Sequence, residues 1–127
     1  MLKTPILNAP LLGALATLGH TDTVVIADAG LPIPAGPTLI DLSLSRGLPS
    51  FKDVLLLLAD NLVIERSTLA LESREGPIGE LCAGAGLEAG FVSHEALKAM
   101  LPQAKVVVRT GEVTPYANVV LHCGVDF

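Results

Sequence analysis

The amino-acid sequence predicts a layered α/β domain, and three observations carry that reading. Residues 23–27 are a continuous apolar run with β-branched residues, which reads as a buried strand, and residues 105–109 and 117–123 read as two more strands. Asn8, Ser50 and Ser93 each stand where a helix cap belongs, just before a segment of helical character. Strands that alternate with helices in this way imply a sheet with helices packed on it.

The elements follow in order. Asn8 caps a helix over residues 9–18, with Pro10 in its first turn and Gly19 as the stop. Thr23 to Ala27 forms a buried strand. Residues 28–37 are dominated by proline and glycine and form a stiff loop. Thr38 to Leu42 is a short strand. Ser50 and Asp53 make an S-x-x-D capping pattern for a helix through Asp60. Leu62 to Leu71 suits a long strand. From Glu72 to Gly90 the pattern weakens: Gly76 and Pro77 mark a turn, and residues 80–89 are too rich in glycine for a helix to be expected. Ser93 then caps a helix from His94 to Leu101, stopped by Pro102. No internal repeat, linker or low-complexity tail is visible.

Composition narrows the function. The chain has 127 residues, the size of one domain. Half of them are apolar, and the mean hydropathy of +0.59 is high for a soluble monomer. Part of that apolar surface is expected between subunits of a homo-oligomer. The net charge is −5, with no basic run, three Phe, one Tyr and no Trp. Nucleic-acid binding needs a cationic footprint and often stacking aromatics, so it is not expected. A sugar would have to be held mainly by hydrogen bonds. Residues 1–10 make a poor signal peptide, and the longest apolar run, Val54 to Ala59, is too short to span a bilayer. Cys82 and Cys123 lack CxxC spacing. They read as reduced buried thiols of a cytoplasmic protein, with one disulfide as the alternative.

Several side chains could carry chemistry. His20 follows the stop of the first helix, where the helix dipole favours a cation and suits a general acid. His94 opens a helix, where the dipole disfavours charge, so it reads as a neutral donor and acceptor for a hydroxyl. The plain alternative for both is surface capping. His122, in the last strand, reads as structural. Asp28 ends a buried strand and either caps its own turn or accepts from sugar hydroxyls. The ends of such strands are where α/β proteins usually bind ligands. Asp22 reads as a cap of its own turn. Tyr116, the only tyrosine, and Asn118 would share one face if both lay in a strand, forming a polar clamp. Zinc, Walker and GxSxG patterns are absent from the sequence. The stretch Gly84-Ala85-Gly86 follows no apolar strand, so a dinucleotide loop is not expected.

Two blocks carry a family resemblance. Gly19-His20-Thr21-Asp22 with Asp28-Ala29-Gly30-Leu31-Pro32-Ile33-Pro34, and Gly111-Glu112-Val113-Thr114-Pro115-Tyr116-Ala117-Asn118, resemble the two signatures of the D-ribose pyranase family of bacterial sugar mutarotases. The stretch from Gly47 to Phe51 and the closing residues 124–127 also resemble family pieces. The resemblance implies a three-layer α/β/α domain spanning residues 1–127 with a mixed, largely parallel sheet. It implies interconversion of β-D-ribopyranose and β-D-ribofuranose by acid–base ring opening and reclosure, with no metal or cofactor. By the same resemblance His20 is the proton donor, and Asp28, His94, Tyr116, Ala117 and Asn118 contact the substrate. It further implies a ring-shaped homo-oligomer, a pentamer or decamer, with sites at subunit boundaries. Related fucose mutarotases share the Gly-His motif and usually lack the Asp28–Pro34 loop, which favours ribose over L-fucose. A non-catalytic sugar-binding partner of a transport system and a purely structural assembly protein are the rival classes. The 71–91 segment is shorter than is usual in the family and implies an abbreviated helix.

Overall fold

The computed structural model describes all 127 residues. Six strands form one sheet: β1 (Thr23–Ala27), β2 (Thr38–Asp41), β3 (Ile64–Ala70), β4 (Ala89–Val92), β5 (Val106–Arg109) and β6 (Val119–Cys123). Their spatial order is β2-β5-β1-β6-β3-β4. Strands β2, β5 and β1 pair in parallel, as do β3 and β4; β6 alone runs against its two neighbours. Mixed and largely parallel pairing was expected, and this is what forms.

Four helices flank the sheet: α1 (Ala9–Leu15), α2 (Phe51–Asn61), α3 (Pro77–Gly84) and α4 (His94–Met100). Alternate strand residues point to opposite faces, and two cores follow from that alternation. Val24, Ile26, Val106, Val108, Val119 and Leu121 face Leu11, Leu15, Phe51, Leu55, Leu58 and Ile78 of the first three helices. Val25, Ala27, Val107 and Val120 face Leu97, Leu101 and Leu31. Helices therefore cover both faces, in three layers.

The caps are where the residues placed them. Asn8 accepts from the Leu11 N–H, Ser50 from Asp53 and Ser93 from Ala96, at 2.9, 3.0 and 3.1 Å. Three elements depart from expectation. Residues 77–84 form helix α3 in spite of their glycines. Pro77 supplies its first turn, Ile78 and Cys82 bury one stripe, and Gly79 allows close approach: a Cβ there would fall 2.6 Å from the Arg74 carbonyl oxygen. Strand β4, which pattern alone does not reveal, is recruited by parallel pairing with β3. Helix α1 also ends at Leu15, three residues early. Cys82 and Cys123 are buried and unpaired, and burial pushes the Cys82 thiol up to about 12.

Candidate active site

Polar groups gather at the carboxyl edge of the parallel strands. Asp28 leaves β1 there, and its carboxylate is held from two sides. Its Oδ1 accepts from the Gly30 N–H at 2.9 Å, and its Oδ2 accepts from Asn118 Nδ2 at 2.9 Å. In return the Asp28 N–H donates to Asn118 Oδ1 at 2.8 Å. This reciprocal pair joins the start of one loop to the end of another, 90 residues apart in the chain. Asn118 is fully buried, so it reaches the cleft through Asp28 and is not itself displayed. Ala117 is buried as well, with its methyl in the larger core.

Tyr116 is not in β6. It sits in the preceding turn with φ +60°, a left-handed conformation that costs a non-glycine residue roughly 1–2 kcal/mol. Its ring is therefore turned outward, 39% exposed, while Asn118 points in. The expected same-face clamp does not form, because strand alternation begins only at Val119. Instead Tyr116 meets His94, edge to face, with ring centroids 5.1 Å apart. His94 Nδ1 is buried and makes no hydrogen bond, an orphan that calls for a partner. The His94 backbone N–H donates to both Glu72 carboxylate oxygens, at 3.3 and 3.0 Å.

Glu112 organises the cleft, and sequence reasoning missed it. Its Oε1 accepts from the Phe51 N–H at 3.0 Å. Its Oε2 accepts from the N–H groups of Val113 and Thr114 and from the Thr114 hydroxyl. Its carbonyl oxygen accepts from the Ala29 N–H at 2.9 Å. One residue thus ties both walls to the start of α2. Burial works against ionisation of this carboxyl, but the four donors outweigh it and hold the group below its ordinary range. Between the walls lies a cleft of about 300 Å³, lined by Asp28–Gly30 and Glu112–Pro115. No local signal marks Glu112 as a hub, because Phe51 comes beside it only in the fold.

His20 is elsewhere. It precedes β1, whereas Asp28 follows it. Five residues at about 3.3 Å each put roughly 16 Å of strand between them. The two signature blocks therefore do not converge within one chain. His20 lines a separate depression of about 470 Å³ with Leu18, Val63 and the closing residues Gly124–Phe127. Because α1 ends at Leu15, its dipole, which fades within a turn, does not act on His20. The partner is Glu65 instead: His20 Nε2 donates to Glu65 Oε1 at 2.9 Å. Both side chains are about half exposed, and such a pair contributes only about 0–1 kcal/mol to stability.

The turn around His20 is tightly built. Asp22 Oδ2 accepts from the Gly19 N–H at 2.8 Å and from Lys105 Nζ at 2.9 Å, and these bonds lower the Asp22 pKa. This is the turn-capping role expected of Asp22. Thr21 takes φ +72° and donates its N–H to the Cys123 carbonyl at 3.0 Å. That conformation costs roughly 1–2 kcal/mol, more than the His20–Glu65 pair returns. His122 Nε2 lies 3.0 Å from Thr68 Oγ1 and half-buried on the sheet, away from both clefts. No group of three or more His, Cys, Asp or Glu side chains is placed to hold a metal ion, and no helix is long and apolar enough to cross a membrane.

Fold and site together define a small three-layer α/β protein with a cleft that carries the Asp28 carboxylate, and with the Tyr116–His94 ring pair following directly on Pro115 of its lining. The profile of the RbsD / FucU transport protein family matches residues 1–126, and the chain belongs to that family. It is 52% identical to a D-ribose pyranase of Exiguobacterium sibiricum, over the whole of both chains. It is 45% identical to Bacillus subtilis RbsD, whose structure in complex with D-ribose superposes over the whole of both chains with a TM-score of 0.94. A fucose mutarotase from Streptococcus pneumoniae, solved with L-fucose, shares the fold at a TM-score of 0.81 but only 22% identity.

Proposed function

We infer that this chain is an isomerase of the mutarotase type that interconverts β-D-ribopyranose and β-D-ribofuranose. The observation that carries this is the identity of 52% to a D-ribose pyranase along the whole length of both chains, with Asp28 held by Asn118 at the carboxyl-edge cleft and Tyr116, two residues before Asn118, packed on His94. Residues 1–127 act as one sugar-mutarotase domain in the cytoplasm.

The chemistry asks little of the protein. Opening the ring needs a proton delivered to the ring oxygen and one removed from the anomeric hydroxyl. The open aldehyde then rotates, and a different hydroxyl closes the ring. General acid–base catalysis typically supplies about 10²–10⁴-fold, and positioning adds to it. Asp28 accepts from sugar hydroxyls, and Tyr116 and His94 Nδ1, which makes no hydrogen bond within the chain, bind others. Asn118 and Ala117 hold this wall from behind. His20 is the proton donor.

About 16 Å of strand separates His20 from Asp28, so a single chain cannot put both on one pentose. We propose that the protein is a homo-oligomer in which His20 of the partner subunit faces the Asp28 cleft. Exposed apolar residues rim both halves: Val63 and Phe127 beside His20, Val113 and Leu48 beside the Asp28 cleft. Apolar surface of this kind marks interaction sites. A ring of subunits repeats one such contact until it closes.

Saturation-transfer NMR on D-ribose tests the activity. Magnetisation should pass between pyranose and furanose anomeric protons in the presence of the protein and not with His20→Ala. Transfer with L-fucose alone would make it a mutarotase for another sugar, and binding without transfer would make it a non-catalytic binder. Either result would overturn the ribose assignment.

A further inference from the structure

We propose that Glu65 is the positioning residue of His20, fixing the ring so that Nδ1 is the nitrogen that exchanges protons with the sugar; this rests on the reading of His20 as the acid. Three independent features build the pair. Ile64 pairs with Cys123 and Arg66 with His122, so two steps along β3 match one along β6, and Glu65 is the extra residue of a β-bulge. Bulges re-aim a side chain, often beside active sites. Without it, Glu65 would alternate regularly with its neighbours and point to a sheet face. With it, the carboxylate reaches His20 Nε2 at 2.9 Å.

The second feature is Gly124. A Cβ there would lie 2.7 Å from Glu65 Cγ and 3.1 Å from its Oε1. The φ of Gly124 is not in the left-handed region, so its absent side chain serves space and not backbone freedom. The third is Thr21, whose strained backbone turns the chain directly after His20 and locks it to Cys123. A half-exposed ion pair returns less stability than that strain removes, so stability does not explain the construction. Strain and bulges gathered at one polar pair mark a functional site.

The pair assigns the tautomer. His20 Nε2–H donates to the Glu65 carboxylate oxygen, and Nδ1 is left free. On ring opening the C1–O5 bond breaks with its electron pair on O5, and the Nδ1 proton passes to O5. The anomeric hydroxyl proton passes to water as C1=O forms. The neutral imidazole keeps its proton on Nε2. On closure O4 attacks C1, Nδ1 takes the O4 proton, and the C1 oxygen regains one from water. The imidazolium is restored.

The test pairs exchange kinetics with nitrogen-15 long-range NMR of His20 in the intact protein. In the unsubstituted chain the neutral ring should carry its proton on Nε2. Glu65→Ala should populate both tautomers and slow ribose exchange by roughly 10- to 100-fold, less than His20→Ala does, at an unchanged half-saturating ribose concentration. Glu65→Gln, whose amide oxygen still accepts, should restore most of the tautomer bias and part of the rate. Gly124→Ala should dislodge Glu65 with both partners intact and reproduce a part of the Glu65→Ala effect. An unchanged tautomer and rate in Glu65→Ala, with His20→Ala inactive, would overturn the role of Glu65. Full activity in His20→Ala would instead overturn the reading of His20 as the acid.

Discussion

Two inactive variants should rescue each other when they share one oligomer. His20→Ala removes the proton donor, and Asp28→Ala removes the carboxylate of the cleft. Within one chain β1 holds the two positions roughly 16 Å apart. Each complete site must then draw His20 from one subunit and Asp28 from another. In a random equal mixture, a site receives an intact His20 from half of the subunits and an intact Asp28 from half. The product is about one quarter of the unsubstituted activity, and this holds for a two-fold or a ring contact alike. The assay is ribose exchange by saturation-transfer NMR on subunits co-expressed with separable tags. Each variant alone should lie near background, and the unfractionated mixture near one quarter. If the mixture merely matched the average of its parents, His20 and Asp28 would not combine across subunits, and the two-subunit site would be refuted.

Two further substitutions probe the cleft walls. Glu112→Gln keeps one acceptor for Phe51 but presents an amide N–H to the donors of Val113 and Thr114, and should lower stability by about 2 kcal/mol in thermal melts. Because the folded Glu112 carboxyl sits below its ordinary value, it contributes stability above the unfolded pKa of about 4.3 and loses it as pH falls through the folded value. The acid side of the stability profile should therefore be flatter in the variant. Asn118→Asp places an acceptor 2.9 Å from Asp28 Oδ2 where a donor stood, and should cost about 1–3 kcal/mol. Its ribose binding, read by titration NMR, should fall more than its melting temperature predicts; equal losses would reduce Asn118 to a structural role.

What could be read directly from the residues is whatever is encoded locally. Thr23–Ala27 is a strand because five apolar and β-branched residues have nowhere else to go. Asn8, Ser50 and Ser93 cap helices because their oxygens sit beside free N–H groups three positions on. The family signatures likewise drew attention to Asp28, which the structure places at the cleft. What only the tertiary structure decided depends on groups far apart in the chain. Helix α3 forms against its propensity because Ile78 and Cys82 pack into the core that Val24, Leu58 and Leu121 build. Tyr116 turns outward because β6 starts three residues later. Glu112 and Glu65 acquire their roles from Phe51 and His20, which the fold brings to them. The separation of His20 from Asp28, by contrast, is already encoded locally, because one precedes and the other follows Thr23–Ala27. Both flank one short strand, and a strand is extended, so residues close in sequence end on opposite edges of the sheet.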